Sequence, residues 1–250
     1  MRTAVNDAGV AYFSVPSRTQ GPTLVRFQDG SLDTVLEIGA TFPNVGHISR
    51  PLVIALNDDE VSLLTVVLDA PTGSTVQPTV LGLLSGKEFT PIVQTGADGQ
   101  GNDVSDIRGL NLGSGRQVLF QERIEVGGTA TATSPRSLRI ATNGSTAEIV
   151  REGQPLGGPD GLTVLNFRDA RMNRQGDVAL VVELGVIEPG TSRIDEIRAI
   201  VRRADGTVDT IASTKGASDL GTLTNIRISG LADDGSLLAL GIRTRSSDRI

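Results

Sequence analysis

The feature that most constrains this chain is a short turn signal that recurs along it at nearly even spacing. Asp29-Gly30, Ser85-Gly86, Asn143-Gly144 and Asp205-Gly206 each stand between two apolar runs. A period of roughly 60 residues marks an array in which each repeat is one supersecondary unit. Asn-Gly and Asp-Gly supply the positive φ angles of a two-residue type I′ turn, whose twist matches that of the strands it joins. Four antiparallel hairpins are therefore expected. After each hairpin an apolar pair precedes a glycine: Val35-Leu36 before Gly39, Ile92-Val93 before Gly96, Ile149-Val150 before Gly153, and Ile211-Ala212 before Gly216.

A second landmark lies upstream of each hairpin, a polar turn followed by a dense apolar run. Asn6 to Gly9 leads into Val10-Ala11-Tyr12-Phe13, and Asn173 to Gly176 leads into Val178-Ala179-Leu180-Val181-Val182. Weaker copies begin at Asn57, Leu112 and Ala232. Read through the fourth repeat, the plan is four strands, over 164–172, 177–184, 196–203 and 208–212. The second strand is apolar at consecutive positions and rich in valine, which requires burial on both faces. No window keeps an i, i+3, i+4 spacing, and 30 glycines and 11 prolines interrupt the chain too often for long helices. Four-stranded sheets covered on both faces describe propeller blades, with a row of small sandwiches as the alternative.

The expectation is thus an all-β, β-propeller-like array of four-stranded antiparallel blades, about four full repeats plus a partial one. It forms one repeat domain over 1–250, with repeats at 1–45, 46–103, 104–161, 162–222 and a partial 223–250. The first repeat lacks its first strand. Residues 224–231 could supply it, but 236–242 would then duplicate 10–15, so the reading is a segment of a longer array.

The turn-and-strand landmark resembles the repeat of a bacterial choice-of-anchor tandem repeat family with an NxxGxxAF motif. Asn173, Gly176, Ala179 and Leu180 give the best copy, with leucine in place of phenylalanine. Asn6, Gly9, Ala11 and Tyr12 form a copy one residue short; Asn57 has Glu60 for glycine; Leu112 and Gly115 replace asparagine and run one residue long to Leu119-Phe120; Ala232 precedes Gly235. The resemblance implies a secreted or surface-attached bacterial protein of β-propeller-like repeats with no established activity.

Composition narrows the chemistry. There is no cysteine, which excludes disulfides, thiolate metal sites and a cysteine nucleophile. His47 is the one histidine, so general acid-base chemistry would fall to it or to shifted carboxylates. Aromatics make up 3% of the chain, tryptophan is absent, and the net charge is -6. Base-stacking platforms are scarce and a phosphate backbone is repelled, so nucleic acid is not an expected partner. The most apolar stretch, 178–187, is broken by Glu183 and falls short of the roughly 20 residues that span a bilayer. No transmembrane segment or signal peptide is expected in this chain.

Few residues invite a chemical role. Asn6, Asn57 and Asn173 read as turn formers that bond their own backbone. Asp58 and Asp59 read as a solvated turn, and His47, beside Gly46, as an exposed loop residue. The segment from Asp98 to Asp103 places oxygen-bearing side chains at alternate positions, as a calcium loop does. It lacks an acidic third position and a following bidentate glutamate, and the matching place in other repeats is also a loop. Asp98, Asn102 and Asp103 are the ligand-binding candidates. Calcium is the one cofactor considered, and no catalytic or metal residue is assigned. Asn143-Gly144-Ser145 matches a glycosylation acceptor but coincides with a hairpin turn.

In an up-and-down sheet, connections alternate between two ends. The Asn-x-x-Gly and Asp-Gly turns share one end. The other receives the longer segments 16–22, 69–78, 125–136 and 185–195 and the connectors after Gly39, Gly96, Gly153 and Gly216, and surface loops of this kind carry recognition. The functional expectation is a non-catalytic surface or secreted interaction scaffold that binds a protein or polysaccharide through this long-loop face. The alternative is a hydrolase or lyase with an acidic, metal-assisted site in a propeller channel.

Overall fold

The computed structural model describes residues 3–17, 21–43, 45–73, 75–97, 101–131, 133–156, 161–188, 191–215 and 223–243. These form an all-β, propeller-like series of antiparallel sheets with strands in chain order, and the described residues contain no α-helix. The first sheet is β1 (Thr3–Val5), β2 (Ala11–Ser17), β3 (Gly21–Gln28) and β4 (Ser31–Leu36). The second is β5 (Thr41–Phe42), β6 (Gly46–Leu56), β7 (Val61–Leu68), β8 (Thr79–Ser85) and β9 (Glu88–Gln94). The third is β10 (Gly96–Ala97), β11 (Asn102–Leu112), β12 (Val118–Val126), β13 (Arg136–Thr142) and β14 (Ser145–Arg151). The fourth is β15 (Thr163–Met172), β16 (Val178–Glu188), β17 (Thr191–Arg202) and β18 (Val208–Ser213), and β19 (Leu223–Leu231) pairs with β20 (Leu237–Arg243) in a fifth. Two compact units result, Met1–Glu148 and Ile149–Ile250.

Within the first unit, the inner strands are shared between two cores. Leu64, Val66 and Leu68 of β7, with Val80 and Leu84 of β8, pack with Val10, Tyr12 and Leu24 of the first sheet. Val61 and Leu63, with Leu81 and Leu83, pack with Val104, Val118 and Phe120 of the third. Because successive side chains of a strand point to opposite faces, consecutive apolar residues fill both cores at once. In the second unit, Ala179 and Val181 pack with Ile226 and Ile228. The other face of β16 is equally dry, with Val178, Leu180, Val182 and Leu184 at 0% exposure.

Several expectations change in detail. The first sheet does have its first strand: β1 is three residues long and pairs with β2, Thr3 opposite Phe13, too short to show a pattern. Residues 224–231 are therefore not needed there, and they pair with β20 instead. The second and third sheets carry a fifth strand, β5 or β10, of two residues. Gly39 and Gly153, with φ of 79° and 82°, turn the chain out of one sheet and onto the next, donating their N–H groups to the Ile48 and Val164 carbonyls at 2.9 and 2.8 Å. Gly216 lies outside the described residues.

Asp29-Gly30 and Asn143-Gly144 both adopt the positive φ pair of a type I′ turn. The other two signals sit differently. Ser85 pairs with Glu88, so Gly86-Lys87 is the loop, with positive φ at its first position only, as in a type II′ turn. Arg203 pairs with Thr207 across a three-residue loop that ends on Gly206. Of the expected long loops, the described residues of 69–78 lie outside the strands, 125–136 narrows to a loop, 127–135, between β12 and β13, and the described residues of 16–22 belong to β2 and β3. The described residues of 185–195 are also strand, because β16 and β17 continue pairing past a register shift at Gly185 to Glu188 and Thr191. Val186, Ile187 and Ile194 on this extended hairpin are exposed.

The Asn-x-x-Gly turns do more than form themselves. In the first copy Asn6 and Val10 close a three-residue loop, with the Gly9 N–H donating to the Asn6 carbonyl at 3.1 Å. The Asn6 Oδ1 accepts from the Val10 N–H at 2.9 Å. Its Nδ2 donates to the carbonyl of Asn57, the same position one sheet on, at 3.1 Å. The Asp7 N–H donates to Asp58 Oδ1 at 3.0 Å, so Asp58 is part of a joint between sheets and not only a solvated turn. The second unit repeats the device: Asn173 Nδ2 donates to the Ala232 carbonyl at 3.1 Å, and the Arg174 N–H to Asp233 Oδ1 at 2.9 Å. Asn57 keeps its own turn bond to Val61, but its Nδ2 is buried without a partner. The next copy is the one with Leu112 for asparagine and an extra residue, taken up in a 3-10 turn over Ser114–Arg116. Glu60 accepts the left-handed φ, 57°, that Gly9, Gly176 and Gly235 hold in the first, fourth and fifth copies.

Candidate functional site

The alternation that fills the core also places one charge inside it. On β12, Val118, Phe120, Glu122 and Ile124 share a face, and the three apolar members belong to the core between the second and third sheets. Glu122 is 1% exposed. Counted from the start of the strand, it stands where β7 has Thr65 and β16 has Val182. A buried carboxylate needs a partner, and Arg139 on the neighbouring β13 supplies one: its Nη1 donates to Glu122 Oε1 at 2.8 Å, while Nη2 donates to Thr146 Oγ1 at 3.0 Å on β14. Glu122 Oε2 and Arg139 Nε are both buried and have no partner.

Other atoms of Glu122 and Arg139 line a cavity of about 460 Å³ between β9 and the third sheet, while the two unpartnered atoms are closed off from it. Gln94, Asn102 and Arg139 give it a polar side; Val104, Phe120 and Ile124 give it an apolar one.

Of the residues singled out in the sequence, Asn102 lines this cavity. Asp103 follows it on β11 and faces the other way, where its Oδ2 accepts from the Ala130 N–H at 2.8 Å. Asp98 lies outside the described residues. His47 is exposed but sits on β6 rather than in a loop, since it pairs with Thr41; its Nδ1 is 3.0 Å from Thr41 Oγ1. Among the described residues no group of three or more His, Asp or Glu side chains could hold a metal ion, and no helix is long and apolar enough to cross a membrane.

Asp103 belongs to a set of ties on loop 127–135. Ser105 Oγ donates to the Thr131 carbonyl at 3.0 Å, Arg123 Nη1 to the Ser134 carbonyl at 3.0 Å, and Ser134 Oγ to Glu125 Oε2 at 3.0 Å. At the opposite, short-turn end, the Arg26 guanidinium grips both oxygens of Glu60 at 2.8 and 2.9 Å, from the first sheet to the second. Burial pushes the Tyr12 phenol beside them above its usual range, and the Glu60 carboxylate adds to the effect.

Residues 1–235 match the profile of a family of unknown function, DUF7453. The chain belongs to that family. A comparison of the DUF7453 chain with curated proteins gives no match. Among solved structures it is similar to an α-L-arabinanase of Penicillium chrysogenum complexed with arabinobiose, at 14% identity and a TM-score of 0.41 over 96% of this chain and 73% of that one. It is also similar to an exo-β-1,3-galactanase of Clostridium thermocellum, at 10% identity and a TM-score of 0.27 over 95% and 70%.

Proposed function

We propose that this DUF7453 chain is a non-catalytic interaction module, secreted or held at a bacterial surface, that engages a protein or polysaccharide through the long-loop end of its sheets. The observation that carries the reading is loop 127–135. Asp103, Ser105, Arg123 and Glu125 each contribute a side-chain bond to it, so Ala130, Thr131 and Ser134 are tied to the sheet before any partner arrives. A loop ordered in advance loses less entropy on binding, and a rigid scaffold presenting such loops is how recognition surfaces are commonly built. The surface location rests on the resemblance of the Asn-x-x-Gly landmarks to the choice-of-anchor repeats.

The test replaces loops 69–78 and 127–135 by Gly-Ser linkers of equal length and compares the variant with the parent chain on arrayed bacterial polysaccharides and surface proteins. A partner of the parent should bind the variant at least about tenfold more weakly, with the thermal midpoint little changed. A variant that keeps every partner at full strength would remove the basis of the proposal.

A further inference from the structure

We infer that a second cavity, between β9 and the β13–β14 hairpin, binds a small monocarboxylate, with the carboxylate on Arg116 and the apolar body against Leu83, Ile92 and Ala141. The cavity holds about 210 Å³ and lies at the short-turn end, beside Asn143-Gly144. Arg116 is its one charged lining residue among the described residues.

The backbone sets Arg116 apart. The Gly113 N–H donates to the Gln117 carbonyl at 2.8 Å, closing this turn as Asn6 and Val10, Asn173 and Asp177, and Ala232 and Ser236 close theirs. Arg116 then holds, with φ of 66°, the left-handed position that Gly9, Gly176 and Gly235 hold in those turns. A side chain in that conformation costs on the order of 1 kcal/mol. Glu60, in the same position of the second copy, offsets the strain through its grip on Arg26. The Arg116 side chain is exposed and has no hydrogen bond or ion pair among the described residues. Strain that the fold itself does not use collects at ligand sites.

The lining selects the ligand. A guanidinium meets a carboxylate through two parallel N–H groups, and no acidic side chain lines the cavity to compete for it. An ammonium ligand would be repelled. Leu83 and Ala141 are buried and, with Pro91 and Ile92, give a wall that an inorganic anion would leave uncovered. The volume is below the roughly 300–1,000 Å³ of drug-sized sites, which limits the ligand to one ring or a short chain. This site goes beyond the interaction reading and lies at the end away from loop 127–135, so the two are tested apart.

The experiment titrates the full chain with benzoate, hexanoate and the neutral amide benzamide, followed by NMR shifts. Benzoate or hexanoate should bind saturably in the millimolar range, and benzamide at least about tenfold more weakly than benzoate. Arg116→Gly installs the residue of the other copies, so the thermal midpoint should hold while carboxylate binding falls by about tenfold or more. Thr90 is an exposed lining residue, and Thr90→Trp should block binding by filling the cavity. Failure of both carboxylates to saturate overturns the inference, as does benzamide binding equal to that of benzoate, or unchanged binding in either variant. The chain with both loops replaced should bind benzoate as the parent does, whether or not it still captures a partner; loss of benzoate binding there would place the site among the loops and overturn the inference.

Discussion

Gly185→Ala should destabilise the unit Ile149–Ile250 by about 3 kcal/mol or more, a severe loss for a single methyl group. Gly185 lies on β16 opposite Ile194, where the register with β17 shifts by one residue. A Cβ there would overlap the Arg193 carbonyl oxygen and approach Leu165 Cδ1 to 2.8 Å. The leucine can rotate away. The carbonyl cannot, because it is part of the facing strand, and moving it breaks the pairing that defines the fourth sheet. Gly230→Ala on β19 is the control, since a Cβ at Gly230 meets nothing within 4 Å. Urea denaturation followed by circular dichroism should put the first variant far below the parent and the second close to it. Equal stability of the two variants would mean that β16 and β17 are paired in another register.

The second large effect is expected at the joints between sheets. Asn173 is 4% exposed; its Oδ1 accepts from the Asp177 N–H at 2.9 Å, and its Nδ2 donates to the Ala232 carbonyl at 3.1 Å. Asn173→Ala removes both bonds and leaves the Asp177 N–H without its acceptor, while the Ala232 carbonyl keeps the Gly235 N–H at 3.0 Å, at a cost of about 2 kcal/mol. Asn57→Ala should cost less, about 1 kcal/mol, because the Asn57 Nδ2 has no partner to lose and truncation removes an unsatisfied donor along with one useful acceptor. The same denaturation series measures both. Were Asn57→Ala the more damaging change, the turn asparagines would not act as joints between sheets.

The strand plan was legible because the second strand of the second and fourth repeats, β7 and β16, is buried on both faces. An unbroken run such as 178–182 has few other readings once the flanking turns are recognised. The turn dipeptides were less decisive. A glycine after a polar residue can close a type I′ turn, open a type II′ turn or end a three-residue loop, and only the pairing of the flanking strands separates Asn143-Gly144 from Gly86-Lys87 and from Gly206. Composition misled at 185–195, where glycine and proline suggested a loop. There the close approach of Gly185 to β17 lets the hairpin continue.

The site was harder to see because charge ordinarily signals exposure. Glu122 is marked as buried only by the company it keeps on alternate positions of β12, Val118, Phe120 and Ile124, a count that requires the strand's limits. Asn102 was reached by a different argument, as one of several oxygen ligands, and the pleat then separates it from Asp103. The inter-sheet use of Asn6 and Asn173 could not be read locally, since each asparagine also makes the turn bond that its sequence context already explains.

The central claim is that within the unit Met1–Glu148 sheets of one design lie face to face in chain order, with β7 enclosed between its neighbours. Nuclear Overhauser contacts across two such faces test it most directly. Gly109 on β11 lies against Ile54 and Leu81 of the preceding sheet, and the Asn6 side-chain amide reaches the Asn57 carbonyl, 51 residues away. Contacts from the Gly109 α-protons to the Ile54 δ-methyl, and from the Asn6 amide protons to Asn57 and Asp58, are the predicted result. Their absence, in spectra that still contain the β7–β8 contacts between Leu63 and Leu83, would contradict the stack.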